Sequence, residues 1–263
     1  MLIIDVSNGT ERRYFIIPSD SLDDLPNISS IDLGRFATAA GSDATLSSAL
    51  NNAVTVCFAA GVLITTIDGE VPVEKLCVGD LILTLDEGFQ PLRWIGCQAL
   101  TPTDLACKPE LRPIRIRAGA LGAGVPRRDL VVSPHHRIFA RSKIARNMFG
   151  CHEVLVAAKD LLFLDGIEVD CGPGGVDYWH LLFDKHQLIY AEGAIAESLY
   201  AGPEALKAVG AMAMRRRFPI MREAPMLFRK AAGRLARPHL KGRDARHLAL
   251  KHVQKNRAMV VEF

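Results

Sequence analysis

Cys57 is the residue whose type and setting point most directly to covalent chemistry. It follows Val54-Thr-Val56 and opens Cys57-Phe-Ala-Ala-Gly61-Val-Leu-Ile-Thr-Thr-Ile-Asp-Gly69. A thiol is a nucleophile only when a base takes its proton and a donor stabilises the oxyanion it creates. Two segments could supply these groups: Ser133-Pro-His-His136, just after an apolar run, and His180 with Asp184 and His186 further on. Taken singly each is weak, because a cysteine in an apolar run is more often a small core residue. Asp184 either orients His186 or is a solvated turn acid. Gly172-Pro-Gly-Gly175 has the wrong spacing and context for a phosphate cradle.

These residues need a frame to bring them together. Between residues 57 and 200, short apolar runs recur at Leu63–Thr66, Leu81–Thr84, Leu92–Ile95, Ile114–Ile116, Leu130–Val132, Glu153–Val156 and His180–Phe183. Acid-glycine dipeptides punctuate them at Asp68-Gly69, Glu87-Gly88, Asp165-Gly166 and Glu192-Gly193. Many short strands joined by such turns predict an all-β domain of hairpins rather than βαβ units. Residues 1–56 read as a short β element, with Leu2-Ile-Ile and Tyr14-Phe-Ile-Ile17, followed by a polar linker. Residues 201–263 are Arg-rich and helix-like, with Ala245, Leu248, Ala249 and Val253 on one predicted helical face.

Charge follows the same division. Residues 1–199 carry 17 Lys and Arg against 25 Asp and Glu, whereas residues 200–263 carry 15 against 4. The basic tail is therefore expected to dock on the acidic body of its own chain, its apolar stripe providing most of the attachment. Arg215-Arg-Arg217 lacks the interleaved aromatics that base stacking would need, so no specific nucleic acid partner is expected. No window approaches eighteen apolar residues, and Asp5 stands where a signal peptide wants basic charge. No membrane span is expected, and the compartment by default is cytoplasmic, with export by a route that needs no signal peptide left open. Six cysteines without a CxxC pair predict reduced thiols, no metal and no cofactor.

The combination is more specific than its parts. Cys57-Phe-x-x-Gly61-x-x-Ile64-x-Thr66-x-x-Gly69-x-x-Pro72-Val-Glu-x-Leu76-x-x-Gly79-Asp80 resembles the opening block of Hedgehog/intein (Hint) domains. Ser133-x-x-His136 resembles their Thr-x-x-His block. Trp179-His-Leu-Leu-Phe-Asp-x-His186 with Gly193-Ala-Ile-Ala-Glu-Ser198 resembles the closing blocks. Order and separation match over about residues 54–200, nearest to bacterial intein-like domains with a Ser-Pro-x-His-Arg block and a Glu-Ser ending.

The resemblance implies a horseshoe-like Hint fold over 57–200, a leader at 1–56 that is the protein's own substrate, and a basic tail at 201–263. It implies an N-to-S acyl shift in which Cys57 attacks the Val56 carbonyl, giving a thioester resolved by water or an external nucleophile. His136 would bond the scissile nitrogen, and Ser133, in place of the usual Thr, would orient it. His180 stands where an Asp is common; it bonds the thiol, bonds Ser198 or only shapes the site. Members that release their C-terminal side end in His-Asn, where this chain has Glu197 and Ser198, so that step is expected to be lost. The competing reading is a Hint scaffold with an inactive Cys57, serving as an interaction module.

Overall fold

The structure is a computed structural model that describes residues 2–7, 12–17, 56–200 and 233–260. Residues 1–44 and 45–263 form two compact units. In the first, β1 (Leu2–Ser7) and β2 (Arg12–Ile17) pair antiparallel from Leu2 opposite Ile17 to Ser7 opposite Arg12.

In the second unit the chain runs through β3 (Phe58–Ala59), β4 (Leu63–Thr66), β5 (Gly69–Pro72), β6 (Leu81–Thr84), β7 (Gly88–Pro91) and β8 (Trp94–Leu100). After α1 (Pro102–Cys107) come β9 (Ile114–Ile116), β10 (Leu130–Val132) and β11 (Arg137–Arg141). Helix α2 (Lys143–Phe149), β12 (Glu153–Ala157), β13 (Ile167–Val169), β14 (Val176–Leu182), β15 (Leu188–Ala191), β16 (Ala194–Glu197) and α3 (Gly242–Gln254) complete it.

Two antiparallel sheets result, with strand orders β13-β9-β10-β3-β14-β8 and β12-β11-β16-β15-β4-β6-β7, β5 flanking β4. The alternation in β4 and β6 is that of half-buried strands: Ile64 and Thr66, Ile82 and Thr84 face inward. Thr66 and Thr84 spend their hydroxyls on their own turns, each donating to the carbonyl of the glycine beyond, Gly69 at 2.8 Å and Gly88 at 2.7 Å. Glu192 and Gly193 both take positive φ, +49° and +76°, the backbone of the two-residue hairpin turn that links β15 to β16. The Glu192 carboxylate there accepts the Leu63 N–H at 2.7 Å, tying that hairpin to β4.

Residues 233–260 belong to this unit. The backbone around Pro238–Leu240 lies along the outer side of β12, with Leu155 N–H donating to Pro238 O at 2.8 Å and Leu240 N–H to Leu155 O at 2.9 Å. An otherwise open sheet edge is thereby covered. Arg237 reaches Asp86 and Glu153, and Arg246 reaches Asp160. Helix α3 buries Ala245, Leu248 and Ala249 in the main core together with Met259. Val253, expected on the same face, is 48% exposed, and His252 is buried in its place. One residue of helical drift accounts for the exchange, since positions 245, 248, 249 and 252 make the tighter stripe. His252 Nδ1–H donates to Arg257 O, its Nε2 accepts from the Ser142 hydroxyl, and that hydroxyl accepts the Ala145 N–H at the start of α2. Among the described residues no helix is long and apolar enough to cross a membrane.

Candidate active site

Strand register assembles the site. β3 lies between β10 and β14, with Phe58 opposite both Val132 and Trp179. One residue back along β3 and one forward along each neighbour, Cys57 faces Ser133 on one side and His180 on the other. Antiparallel pairing runs this way, so three distant residues meet at one rung.

The contacts follow. The Cys57 N–H, the nitrogen of the Val56–Cys57 bond, donates to Ser133 Oγ at 3.1 Å. Ser133 N–H donates to Cys57 O at 2.9 Å. His180 Nδ1 is 2.9 Å from Val56 O, and a carbonyl only accepts, so Nδ1 carries the hydrogen. Cys57 Sγ lies 3.5 Å from His180 Nδ1 and 3.4 Å from Nε2. One imidazole therefore contacts both the Val56 carbonyl oxygen and the Cys57 sulfur.

His136 occupies a different place from the one expected of it. Its Nδ1–H donates to Cys57 O at 2.9 Å, the carbonyl after Cys57, while the Cys57 N–H is held by Ser133. The turn from Ser133 to His136, closed by His136 N–H on Ser133 O at 3.0 Å, points the ring back over Phe58, 4.4 Å between centroids. His135 points outward, its Nε2 3.3 Å from Lys159 Nζ.

Electrostatics set the resting protonation. Burial pushes both His136 and His180 down to about 4; the Glu197 charge opposes this for His136, and the bond to Val56 O opposes it for His180. Both imidazoles are neutral at pH 7. Burial also raises the Cys57 thiol well above its ordinary value, against hydrogen bonds from Ser133 and Val56. At neutral pH Cys57 is therefore a thiol, and any attack by its sulfur would have to be coupled to proton removal. Cys57 is 1% exposed, beside Leu100, Leu105, Leu111 and Tyr178.

Asp184 is not part of this site. It lies at the surface against Arg93, Nη2 to Oδ2 at 2.7 Å. Both nitrogens of His186 are engaged elsewhere: Nδ1 accepts the Ala236 N–H at 3.0 Å, and Nε2 donates to Glu197 Oε2 at 3.1 Å. Phe183, the last apolar residue before the turn, is buried, and the next position turns outward. Glu197 is fully buried and takes the Arg137 N–H on Oε1 and the Arg137 guanidinium on Oε2. Ser198 Oγ accepts the Gln187 N–H at 2.9 Å. Arg137 entered the sequence reading only as the last residue of the Ser-Pro-x-His-Arg block, with no role assigned, and Ala236 escaped it, because a backbone amide carries no signal. Cys97 pairs with Trp179 on the opposite face of the strand from Cys57; burial, then Asp177, raises its thiol to about 11. Among the described residues, no group of three or more His, Cys, Asp and Glu side chains could hold a metal ion.

Cys57, just before β3, is thus flanked by Ser133 at the end of β10 and His180 in β14. The Hint domain family profile matches residues 56–203, more than half of the chain, and the chain belongs to the Hint domain family. Among solved structures it is similar to the bacterial intein-like domain from Clostridium thermocellum, at 10% identity over 55% of this chain and 99% of that one, TM-score 0.39. It is also similar to the gp41-1 intein, at 13% identity over 53% and 96%, TM-score 0.34. The MchDnaB-1 intein shows 12% identity over 54% and 99%, TM-score 0.34. No curated protein matches.

A stability consequence follows from the two buried imidazoles. An unfolded histidine takes up its proton near pH 6.5, whereas His136 and His180 in the fold do so only near 4. Above 6.5 the two states bind equally. Between 6.5 and 4 the unfolded chain binds more protons, so stability is lost as the pH is lowered, by up to roughly 3 kcal/mol per histidine. Denaturant unfolding at pH 7 and pH 4.5, in a Cys57→Ala background that keeps the chain whole, is expected to show this loss. The loss should shrink when both histidines are replaced by glutamine. An unchanged pH slope in that variant would place the titrating groups elsewhere.

Proposed function

We propose that this chain is an autoprocessing Hint protein that converts the Val56–Cys57 peptide bond to a thioester. The observation that carries the reading is His180, which donates to Val56 O through Nδ1 while its ring lies within 3.5 Å of Cys57 Sγ. Cys57 Sγ attacks the Val56 carbonyl carbon as its proton passes to His180 Nε2. The oxygen, gaining negative charge, keeps the Nδ1–H bond. The C–S bond forms, the C–N bond breaks, and the thiol proton ends on the departing Cys57 nitrogen, already hydrogen-bonded to Ser133 Oγ. His136 and Ser133 N–H hold the next carbonyl, which fixes the peptide being broken. Nucleophile and carbonyl belong to adjacent residues, so proximity supplies much of the acceleration. Water or an external thiol then takes the acyl group, releasing residues up to Val56 as a carboxylate or thioester and leaving Cys57 with a free amine and thiol.

Intact mass of the purified chain, incubated with dithiothreitol or hydroxylamine, tests this. Fragments 1–56 and 57–263 are the expected products. A chain that stays whole after prolonged incubation would sink the reading and leave the scaffold function.

The C-terminal side is expected to stay attached. Release there in Hint proteins needs an Asn amide nitrogen that closes a five-membered ring on its own carbonyl. Ser198 Oγ could close only a four-membered ring, and Glu197, at the usual His position, has its carboxylate committed to Arg137 and His186. Denaturing electrophoresis with intact mass should show no 1–198 or 199–263 species. Either species refutes the claim, and a base-labile branched product would make Ser198 an acyl acceptor.

A further inference from the structure

His186 and Glu197 take no part in the chemistry above, yet they are among the most completely bonded buried groups in the protein. A buried carboxylate is stable only if its oxygens are satisfied. Glu197 meets this demand with the Arg137 N–H on Oε1, at 2.9 Å, and with Arg137 Nη1 and His186 Nε2 on Oε2, at 3.0 and 3.1 Å. Arg137 N–H is the first amide after His136. Glu197 therefore pins the exit of the turn whose entrance is Ser133, the residue that bonds the scissile nitrogen. Ala158 N–H on His136 O, at 2.9 Å, secures the same peptide from the other side.

The donor from His186 exists in only one neutral tautomer. With the hydrogen on Nδ1, the ring would oppose the Ala236 N–H with a second donor and Glu197 with a lone pair. The Ala236 amide, from the tail, therefore selects the tautomer that serves Glu197. Tyr200 packs edge-on to the His186 ring, 5.5 Å between centroids, and its hydroxyl donates to Gly233 O, so the tail is fastened next to the same imidazole.

We propose that His186 and Glu197 are positioning residues of the acyl shift, set from the tail through the Ala236 amide. The altered Glu-Ser ending is thus a brace for the first step, where other Hint proteins keep groups for C-terminal release. This rests on the reading that Cys57 forms a thioester.

The test compares His186→Gln with His186→Asn in the full chain. Gln keeps a donor at the reach of Nε2 toward Glu197, whereas Asn keeps only an acceptor at the reach of Nδ1 toward Ala236. Single-turnover cleavage in dithiothreitol should be near the wild-type rate for Gln and slower by on the order of 10- to 100-fold for Asn, as expected when reacting groups drift slightly. Circular dichroism melting identifies a variant that has merely unfolded. Independently of cleavage, long-range proton–nitrogen spectra of the Cys57→Ala chain should show His186 hydrogen-bearing at Nε2, and Ala236→Pro should erase that preference. Equal rates for wild type, Gln and Asn would overturn the proposal, as would equal slowing of both folded variants or a hydrogen on Nδ1. A wild type that never cleaves would instead defeat the thioester reading, and the tautomer spectra would still report on the brace.

Discussion

Cys57→Ala protein is expected to remain a single chain of 263 residues under conditions where the wild type releases the fragment ending at Val56. Among the described residues the Cys57 thiol is the nucleophilic side chain carried by the residue after Val56, and alanine keeps the backbone while deleting it. Loss should be complete, because no neighbouring hydroxyl is a substitute: Ser133 Oγ is occupied by the Cys57 N–H. Folding should survive. Cys57 packs with Leu100, Leu105, Leu111 and Tyr178, and removing one sulfur from such a cluster costs on the order of 1 kcal/mol. Time-resolved intact mass in dithiothreitol, with thermal melts of both proteins, checks the claim. A Val56-terminated fragment from folded Cys57→Ala protein would assign the cut to another nucleophile.

The second large effect concerns His180. Replacing it by alanine removes the donor on Val56 O and the acceptor beside Cys57 Sγ in one step. Loss of a single oxyanion donor typically costs about 10²- to 10³-fold. Loss of the base adds to this, because burial keeps Cys57 protonated at neutral pH. Thioester formation in His180→Ala is therefore expected to slow by at least about 10³-fold, close to the limit set by general acid-base and electrostatic catalysis together. His180→Asn separates the two roles, since its amide, at the reach of Nδ1, can donate to the carbonyl but cannot take a proton at neutral pH. It should recover part of the rate and no more. The measurement is the first-order rate of fragment release, which for an intramolecular shift does not depend on protein concentration. His180→Ala cleaving at the wild-type rate would remove His180 from the chemistry and leave it a packing residue.

Much of this could be read from one dimension. Strands β4, β6, β9, β10 and β12 stand where alternating or apolar runs were read, β4 and β6 each followed by an acid-glycine turn, because side-chain period and turn chemistry are local properties. Cys57, Ser133, His136, His180 and His186 were likewise legible as residues able to do chemistry, from their types and from their spacing. Helices α1 and α2 were not: six and seven residues are too short for a helical period to stand out, though the Thr101 and Asp104 capping box marks the first.

What the sequence determined by itself was the inventory of reactive groups and the strands that carry them; what each group touches was decided by the tertiary structure. Pairing of β3 with β10 and β14 put Ser133 on the scissile nitrogen and His180 on the carbonyl, and left His136 on the following carbonyl. The turn after Phe183 sent Asp184 out to Arg93, while β16 carried Glu197 inward to Arg137. Val253 and His252 exchanged places by a single position on α3. For the residues carried by strands the physical reason is shared. Periodicity determines which face of an element a residue occupies, but register across a sheet is a long-range choice made by the whole core. The hydrogen-bond partners that complete the site include backbone amides such as that of Ala236, which every residue except proline possesses and no side-chain pattern can single out.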